Sequence, residues 1–221
     1  MILDLGLIDY EDAYRAQREF VNRRKLGEIE DSIIVAEHKP VFTIGRIGKM
    51  ENLLVDDRAL AEHGIKVLRV DRGGDITFHG PGQLILYPII DLKKRRRDLH
   101  QYLRSLEDVV IRYLQGCSIR AERIYGKTGV WVKGKKIAAI GIAVSGWVTY
   151  HGLSVNLNVD LDFFSMINPC GMKDVKVTSL ANILNKNVTM DEAKVNILFH
   201  FNDIFNLGGS EFAGRRCTPL A

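Results

Sequence analysis

The chain has 221 residues, 46% hydrophobic and 26% charged, with 31 Lys and Arg against 27 Asp and Glu for a net charge of +4. A chain this long buries roughly 70% of the surface it exposes when unfolded, enough for a core without disulfides. These proportions exclude disordered, collagen-like and coiled-coil proteins. The small basic excess does not suit a dedicated nucleic-acid binder; it suits an enzyme with one positive face for an acidic partner.

The opening segment MILDLGLIDY lacks a basic stretch before its apolar residues and is interrupted by Asp4 and Asp9, unlike a signal peptide. Asp9 is positioned to cap a helix over residues 10–25 that Gly27 ends, with Ala13, Ala16, Phe20 and Val21 on its apolar face. Residues 32–37 read as a buried strand broken at Pro40, and Val41 to Ile44 resumes extended structure. A helix around Asp56 to His63 stops at Gly64, and Ile65 to Val70 is a further strand. Residues 84–90, LILYPII, suit a strand buried on both faces. Pro88 cannot donate to a ladder, which predicts a bulge or an edge position there.

Lys93 to Arg97 is an uninterrupted basic run, followed by Asp98 as the cap of a helix striped by Leu99, Tyr102, Leu103, Leu106, Val109, Val110, Tyr113 and Leu114 and ended by Gly116. From residue 129 to 158 the sequence predicts a β-meander turning at Lys133-Gly134 and Gly146. Thr189 and Glu192 form a capping-box pattern ahead of a last helix with Ile197, Leu198, Phe201, Ile204 and Phe205 on its apolar face. Hairpin-connected central strands without strict βαβ alternation predict an α+β fold, a mixed sheet with flanking helices. With no repeat, linker or low-complexity stretch, residues 1–221 read as one domain. No run approaches the ~20 apolar residues of a membrane span.

The three cysteines, Cys117, Cys170 and Cys217, are widely spaced without a C-x-x-C pair. This predicts neither a zinc site nor a disulfide framework and suits a reducing compartment, the cytoplasm. The densest segment is Arg72-Gly73-Gly74-Asp75-Ile76-Thr77-Phe78-His79-Gly80-Pro81-Gly82-Gln83. Its glycines allow sharp turns and close backbone approach to a ligand, or serve only as turns around a short strand. No Lys follows the last glycine, so it is not a P-loop.

The stretch RGGDITFHGPGQLILYP resembles the signature of the lipoyl(octanoyl) transferases. Lys136-Ile137-Ala138-Ala139-Ile140-Gly141 is similar to that family's lysine segment, and His151-Gly152-Leu153-Ser154-Val155-Asn156-Leu157-Asn158 to its next block. Asn168-Pro169-Cys170-Gly171 and Val177-Thr178-Ser179-Leu180 follow in family order, across nearly the whole chain. The resemblance implies the catalytic-domain fold of biotin and lipoate protein ligases. It implies transfer of an octanoyl group from octanoyl-acyl carrier protein to an enzyme thiol, and then to a lysine of a lipoyl domain. The acceptors it implies are lipoyl domains of 2-oxoacid dehydrogenase complexes and the glycine cleavage H protein. No cofactor, metal, nucleic acid or membrane is called for, and a monomer is expected.

On this resemblance Cys170 is the nucleophile and Lys136 its partner, because an ammonium beside sulfur favours the reactive thiolate. Alternation along a strand sends Lys135 and Lys136 to opposite faces. Spacing alone leaves the choice between them open, and the motif alignment selects Lys136. Substrate contacts are expected from Arg72, Gly73, Gly74, Asp75, Ile76, Thr77, Phe78 and His79, from Ala139, Ile140 and Gly141, and from Gly152, Leu153 and Ser154. Arg72 either fixes its loop or meets the carrier's prosthetic arm. His79 either orients the Gly80-Pro81-Gly82 turn or shapes the pocket, and His151 is a lining candidate. Val144, Leu153 and Val155 are candidate walls for the octanoyl chain.

His38, His63, His100 and His200 match nothing and read as structural or exposed. Cys117, at a helix C-terminus, and Cys217, in a polar tail beside Gly214-Arg215-Arg216, read as inert. The Lys93–Arg97 run is either a solvated face or a steering patch for acidic partners. The competing functions are an ATP-dependent lipoate-protein ligase, which would not need the thiol, and an inactive acyl-protein binding module.

Overall fold

The polypeptide begins with a strand, β1 (Ile2–Ile8), and a helix, α1 (Tyr10–Leu26), which returns it to β2 (Ser32–His38), parallel to β1. The structure, a computed structural model, describes residues 1–172 and 174–208. Gly27 ends α1 at φ 77°, a conformation that costs glycine little, and its N–H meets the carbonyls of Arg23 and Arg24. Asp9 precedes α1 but does not cap it through its side chain; Lys39 Nζ donates to its carboxylate at 2.8 Å instead.

A small sheet follows. β3 (Val41–Ile44) runs parallel to β4 (Lys66–Arg69) through α2 (Asp57–Glu62), and β5 (Ile76–His79) pairs antiparallel on the other side of β3. Asp56 caps α2 by accepting from the Ala59 N–H at 3.0 Å. The large sheet then completes with β6 (Gln83–Ile89), β7 (Glu122–Ile124), β8 (Lys127–Val132), β9 (Lys135–Ser145) and β10 (Val148–Asn156). Among the described residues it has seven strands in the order β1-β2-β6-β10-β9-β8-β7. The helices α3 (Leu99–Gly116), α4 (Leu180–Leu184) and α5 (Met190–Phe205) make up the rest. The sheet is mixed and its late strands form the expected meander, but β1–α1–β2 and β3–α2–β4 are parallel crossovers that the sequence reading did not contain.

Alternation at the sheet centre builds two cores. Ile33, Val35, Leu84 and Leu86 join Leu106, Val110 and Phe201 of α3 and α5, while Ile34, Ala36, Ile85 and Tyr87 join Ala13, Phe20 and Val21 of α1. Burial on both faces is the reason β2 and β6 read as continuous apolar runs. Asp98 caps α3 as expected, accepting from the Gln101 N–H at 3.0 Å. Thr189 precedes α5 but makes no side-chain cap bond, so its capping-box pattern is not realised there.

β6 is interior, not an edge strand. The sheet accommodates Pro88 by turning its partner. The pairing of Leu153 with Leu86 and the bridge of Val148 to Asp91 place His151 opposite Pro88. His151 has φ 53°, and its N–H leaves the ladder for Gln17 Oε1 of α1 at 2.8 Å. Thr149 Oγ1 donates to the Pro88 carbonyl at 2.7 Å, and its oxygen accepts the Ile90 N–H at 3.0 Å, closing the gap.

Cys117 is buried at the C-cap of α3. Cys217 and its neighbours Gly214 to Arg216 lie outside the described residues. Among the described residues no helix is long and apolar enough to cross a membrane.

Candidate active site

The loop joining β4 to β5 is tied to both sheets. The buried Arg72 guanidinium donates to the Thr43 carbonyl at 2.7 Å, to Thr43 Oγ1 at 2.9 Å and to the Gly73 carbonyl at 3.0 Å. Of its two expected roles, the observed bonds are those of loop fixing. Gly73 N–H bonds the Ile142 carbonyl of β9 at 2.9 Å, stitching the loop across the large sheet. Asp75 accepts from the Ile76 N–H at 2.6 Å and from Asn52 Nδ2 at 2.9 Å. A β-carbon on Gly171 would stand 2.5 Å from Asp75 Oδ2, so the glycine after Cys170 lets that loop close onto Asp75.

Cys170 lies in a 3₁₀ turn, Pro169–Gly171, with φ 59° and ψ 23°. A left-handed conformation in a residue with a side chain is uncommon and costs free energy, and such strain concentrates at functional sites. Lys136 Nζ stands 3.0 Å from Cys170 Sγ. Lys136 is buried while Lys135 is exposed, so alternation turns one lysine of the pair inward. Backbone bonds hold Lys136 on its other side: its N–H bonds the Lys176 carbonyl at 2.8 Å, and its carbonyl accepts the Thr178 N–H at 2.9 Å. Residues 176–178, beyond the cysteine turn, are thereby bridged to Lys136.

A pocket enclosing about 510 Å³, its open mouth included, extends from this pair. Arg72 to Thr77 and His79 line one side, and Ala139 to Gly141 with Gly152 to Ser154 the other. A smaller pocket shares Thr77, Lys136, Ala139, Ser154 and Cys170, so the thiol stands where two cavities meet. Three sequence expectations are corrected. Phe78 points away from the pocket into the core of the small sheet, against Phe42 and Phe163. Val155 belongs to the core packed on α3, and Val144 does not line the pocket; of the three candidate walls only Leu153 does. Tyr10, Ile85 and Tyr87 line the pocket without having been singled out. Tyr10 lies at the start of α1, and only the packing of that helix on β6 and β10 brings it there.

Buried imidazoles lie in the pocket wall and behind it: His79 and His151 line it, and the His38 ring stands behind His79. His79 Nδ1 donates to Gln83 Oε1 at 2.6 Å, an orientation set by Gln83 Nε2 donating to Asn156 Oδ1 at 2.8 Å. Burial pushes the His79 pKa down to about 3, reinforced by His38, so it is uncharged near neutrality. Among the described residues it has no hydrogen bond to Cys170 or Lys136, and it acts here as a lining and orienting group. His38 Nδ1 bonds the Ile8 carbonyl at 3.1 Å, so its Nε2 accepts from Tyr87 Oη at 2.6 Å; burial holds its pKa at about 4. His151, which also lines the pocket, meets Asp71 Oδ1 through Nε2 at 2.7 Å. His63 and His100 are exposed, and His200 is partly buried. The apolar part of the lining, Ile76, Ile85, Ala139, Ile140 and Leu153 beside the uncharged His79, suits an uncharged aliphatic chain, while Arg72, Asp75 and Lys136 give the same pocket a polar part.

The basic run is exposed, but Arg95 is committed to the fold, donating to Asp31 Oδ2 at 3.1 Å and to the Phe205 carbonyl at 2.5 Å. Among the described residues no three His, Cys, Asp or Glu side chains converge as metal ligands.

Residues 9–202 match the lipoyl protein ligase A/B catalytic domain family. The chain is 45% identical over 207 residues to an octanoyltransferase of Rubrobacter xylanophilus, covering 93% of each. It is 43% identical over 205 residues to one of Caldicellulosiruptor saccharolyticus, covering 91% of this chain and 86% of that one. In fold it is similar to the bi-partite lipoate protein ligase of Thermoplasma acidophilum, with TM-score 0.71 at 16% identity over 94% of this chain and 84% of that one. A biotin protein ligase of Aquifex aeolicus shares the fold more distantly, with TM-score 0.58 at 16% identity over 93% and 70% of the two chains.

Proposed function

The chain belongs to the lipoyl protein ligase A/B catalytic domain family, among its octanoyltransferases, and from that premise we propose that it carries octanoyl from octanoyl-acyl carrier protein to lipoyl-domain lysines through a thioester on Cys170. The observation that carries this reading is the 3.0 Å approach of Lys136 Nζ to Cys170 Sγ at the wall of an apolar pocket.

The first transfer starts from a Cys170 thiolate beside a Lys136 ammonium. The thiolate attacks the donor thioester carbonyl, and the tetrahedral adduct collapses by expelling the carrier thiolate. That thiolate takes a proton from Lys136, leaving a neutral amine. In the second transfer, the neutral amine of the acceptor lysine attacks the Cys170 thioester. Lys136 takes back a proton from the adduct's nitrogen, and Cys170 departs as thiolate, so the starting charges are restored. The thioester supplies the activation, so no ATP is consumed. The dyad's two tasks, favouring a thiolate and shuttling one proton, need one amine placed close to one sulfur.

Acceptors under this reading are lipoyl domains of 2-oxoacid dehydrogenase complexes and the glycine cleavage H protein. Ligation driven by ATP is less favoured, since the octanoyltransferases reach 45% identity while the lipoate ligases share the fold at 16%. The test is an intact-mass spectrum after mixing with octanoyl-acyl carrier protein. An octanoyl adduct on Cys170, removable by hydroxylamine and absent from Cys170→Ala, is expected. An active Cys170→Ala enzyme would overturn the covalent route.

A further inference from the structure

Lys136 reaches Cys170 through a slot built by β8. Its cross-strand partner is Trp131, a buried ring whose centroid lies 5.4 Å from Lys136 Nζ, within cation–π range. The stem passes over Gly129. A β-carbon on Gly129 would lie 2.5 Å from Lys136 Cε, 3.3 Å from Nζ and 2.6 Å from the Ala138 carbonyl oxygen. Gly129 also has φ 122°, where a side chain is strained. Its N–H is held by Glu107 Oε1 at 3.0 Å, and Glu107 is in turn fixed by Arg104 Nη1 at 2.7 Å and Arg123 Nε at 2.8 Å. The slot is therefore anchored to α3.

We propose that Gly129 and Trp131 are positioning residues that berth Lys136 against Cys170. A lysine stem has many rotamers, and a free ammonium would visit the sulfur only part of the time. The absent side chain at Gly129 gives the stem one route, and the Trp131 face attracts the ammonium at its end. The charged groups around it are Cys170 in front, Lys127 at 5.5 Å from the same ring, Arg72 within electrostatic reach of Cys170, and Glu107 behind Gly129. The inference rests on the reading of Lys136 as the proton partner of Cys170.

The experiment places Trp131→Leu, Trp131→Phe and Gly129→Ala in both the wild-type and the Lys136→Met background. Iodoacetamide modification of Cys170 is followed by peptide mass from neutral to alkaline pH, octanoyl transfer is measured alongside, and thermal melting checks the fold. In the wild-type background, Trp131→Leu and Gly129→Ala should each slow Cys170 alkylation at neutral pH about tenfold and move its pH profile upward. Trp131→Phe, which keeps an aromatic face, should retain most of the rate. In the Lys136→Met background the same substitutions should add nothing, because the residue they act through is gone. Folded Trp131→Leu and Gly129→Ala enzymes with wild-type alkylation and transfer would overturn the proposal. So would losses of equal size in both backgrounds, which mark a structural effect. Should Gly129→Ala fail to fold, because its β-carbon also meets the Ala138 carbonyl oxygen, Trp131→Leu decides by the same comparison, and should Trp131→Leu fail, Gly129→Ala does. Wild-type alkylation in Lys136→Met itself would sink the dyad reading and the berth with it, a result separable from failure of the berth alone.

Discussion

Gly152 lies so close to the neighbouring strand that a β-carbon on it would stand 2.6 Å from Pro88 Cδ, and nearer still to the Leu86 carbonyl oxygen. The pocket wall at Gly152 thus depends on the absence of a side chain, because the obstructing oxygen is backbone and cannot swing aside. Gly152→Ala should cost roughly 1–3 kcal/mol or more. Gly134→Ala, at a turn glycine with φ 73° and open space, should cost only about 1 kcal/mol. Urea unfolding of the two variants side by side checks the order, and equal costs would count against it.

Lys136→Met should slow iodoacetamide modification of Cys170 at neutral pH and cut octanoyl transfer further, by roughly 10²–10⁴-fold. Alkylation needs only the thiolate, whereas transfer also needs a base for the incoming amine. Lys136→Arg should restore part of the alkylation rate and little of the transfer, because a guanidinium keeps its proton. Lys135→Met, at an exposed position, should behave as wild type. Stopped-time mass spectrometry reads both reactions on one set of samples.

Stability should fall as the solution turns acidic, beginning below about pH 6.5. Burial holds His38 at about 4 and His79 at about 3 in the folded protein. Between those values and the ordinary histidine value the unfolded chain binds more protons, so the stabilisation is full above that window and is lost through it. Each histidine contributes on the order of 3–5 kcal/mol across its full window, His79 more than His38. Asp71 is held well below the usual carboxylate range, first by its bond to His151 and also by those from Tyr150 and Tyr14, and adds a loss of the same sign at still lower pH. Urea midpoints at neutral pH and about pH 5 should converge in His79→Asn relative to wild type. An unchanged difference would contradict this assignment.

Within the basic run Arg95 serves the fold, and its exposed neighbours are the candidates for steering an acidic partner. Arg95→Ala should destabilise the fold through the loss of Asp31 and the Phe205 carbonyl. Charge reversal at Lys93, Lys94 and Arg96 should leave stability nearly unchanged, raise the apparent KM for the acyl donor and weaken its salt dependence, with kcat held. Steady-state kinetics at two ionic strengths checks this; an unaltered salt profile returns those three residues to a solvated face.

Much of the architecture was legible because its signals are local. The stripe of α3 and its Asp98 cap, the two-faced burial of β2 and β6, and the β8–β10 meander each follow from periodicity within one segment. β1 was not legible: its residues are half-buried, its register shifts between Asp4 and Leu7, and it becomes a strand by pairing with β2. β7, of three residues, is too short to carry a pattern. The Asp9 and Thr189 patterns signalled helix starts correctly, although their side chains do not make the cap bonds.

For the site, the sequence by itself determined the glycine-rich loop, the Asn-Pro-Cys-Gly turn and a pair of adjacent lysines of which alternation turns one inward. Tertiary structure decided which lysine faces the thiol, that Phe78 serves a core while His79 serves the pocket, that Tyr10, Ile85 and Tyr87 join the lining, and that Gly129 opens a path for the Lys136 stem. The physical reason is register. Which side chains meet across two strands depends on how those strands are paired, and a shift of one residue exchanges their faces. No stretch of sequence read alone contains that pairing: Lys136 and Cys170 meet in a structure where residues 176–178 bridge to Lys136 through Lys176 and Thr178.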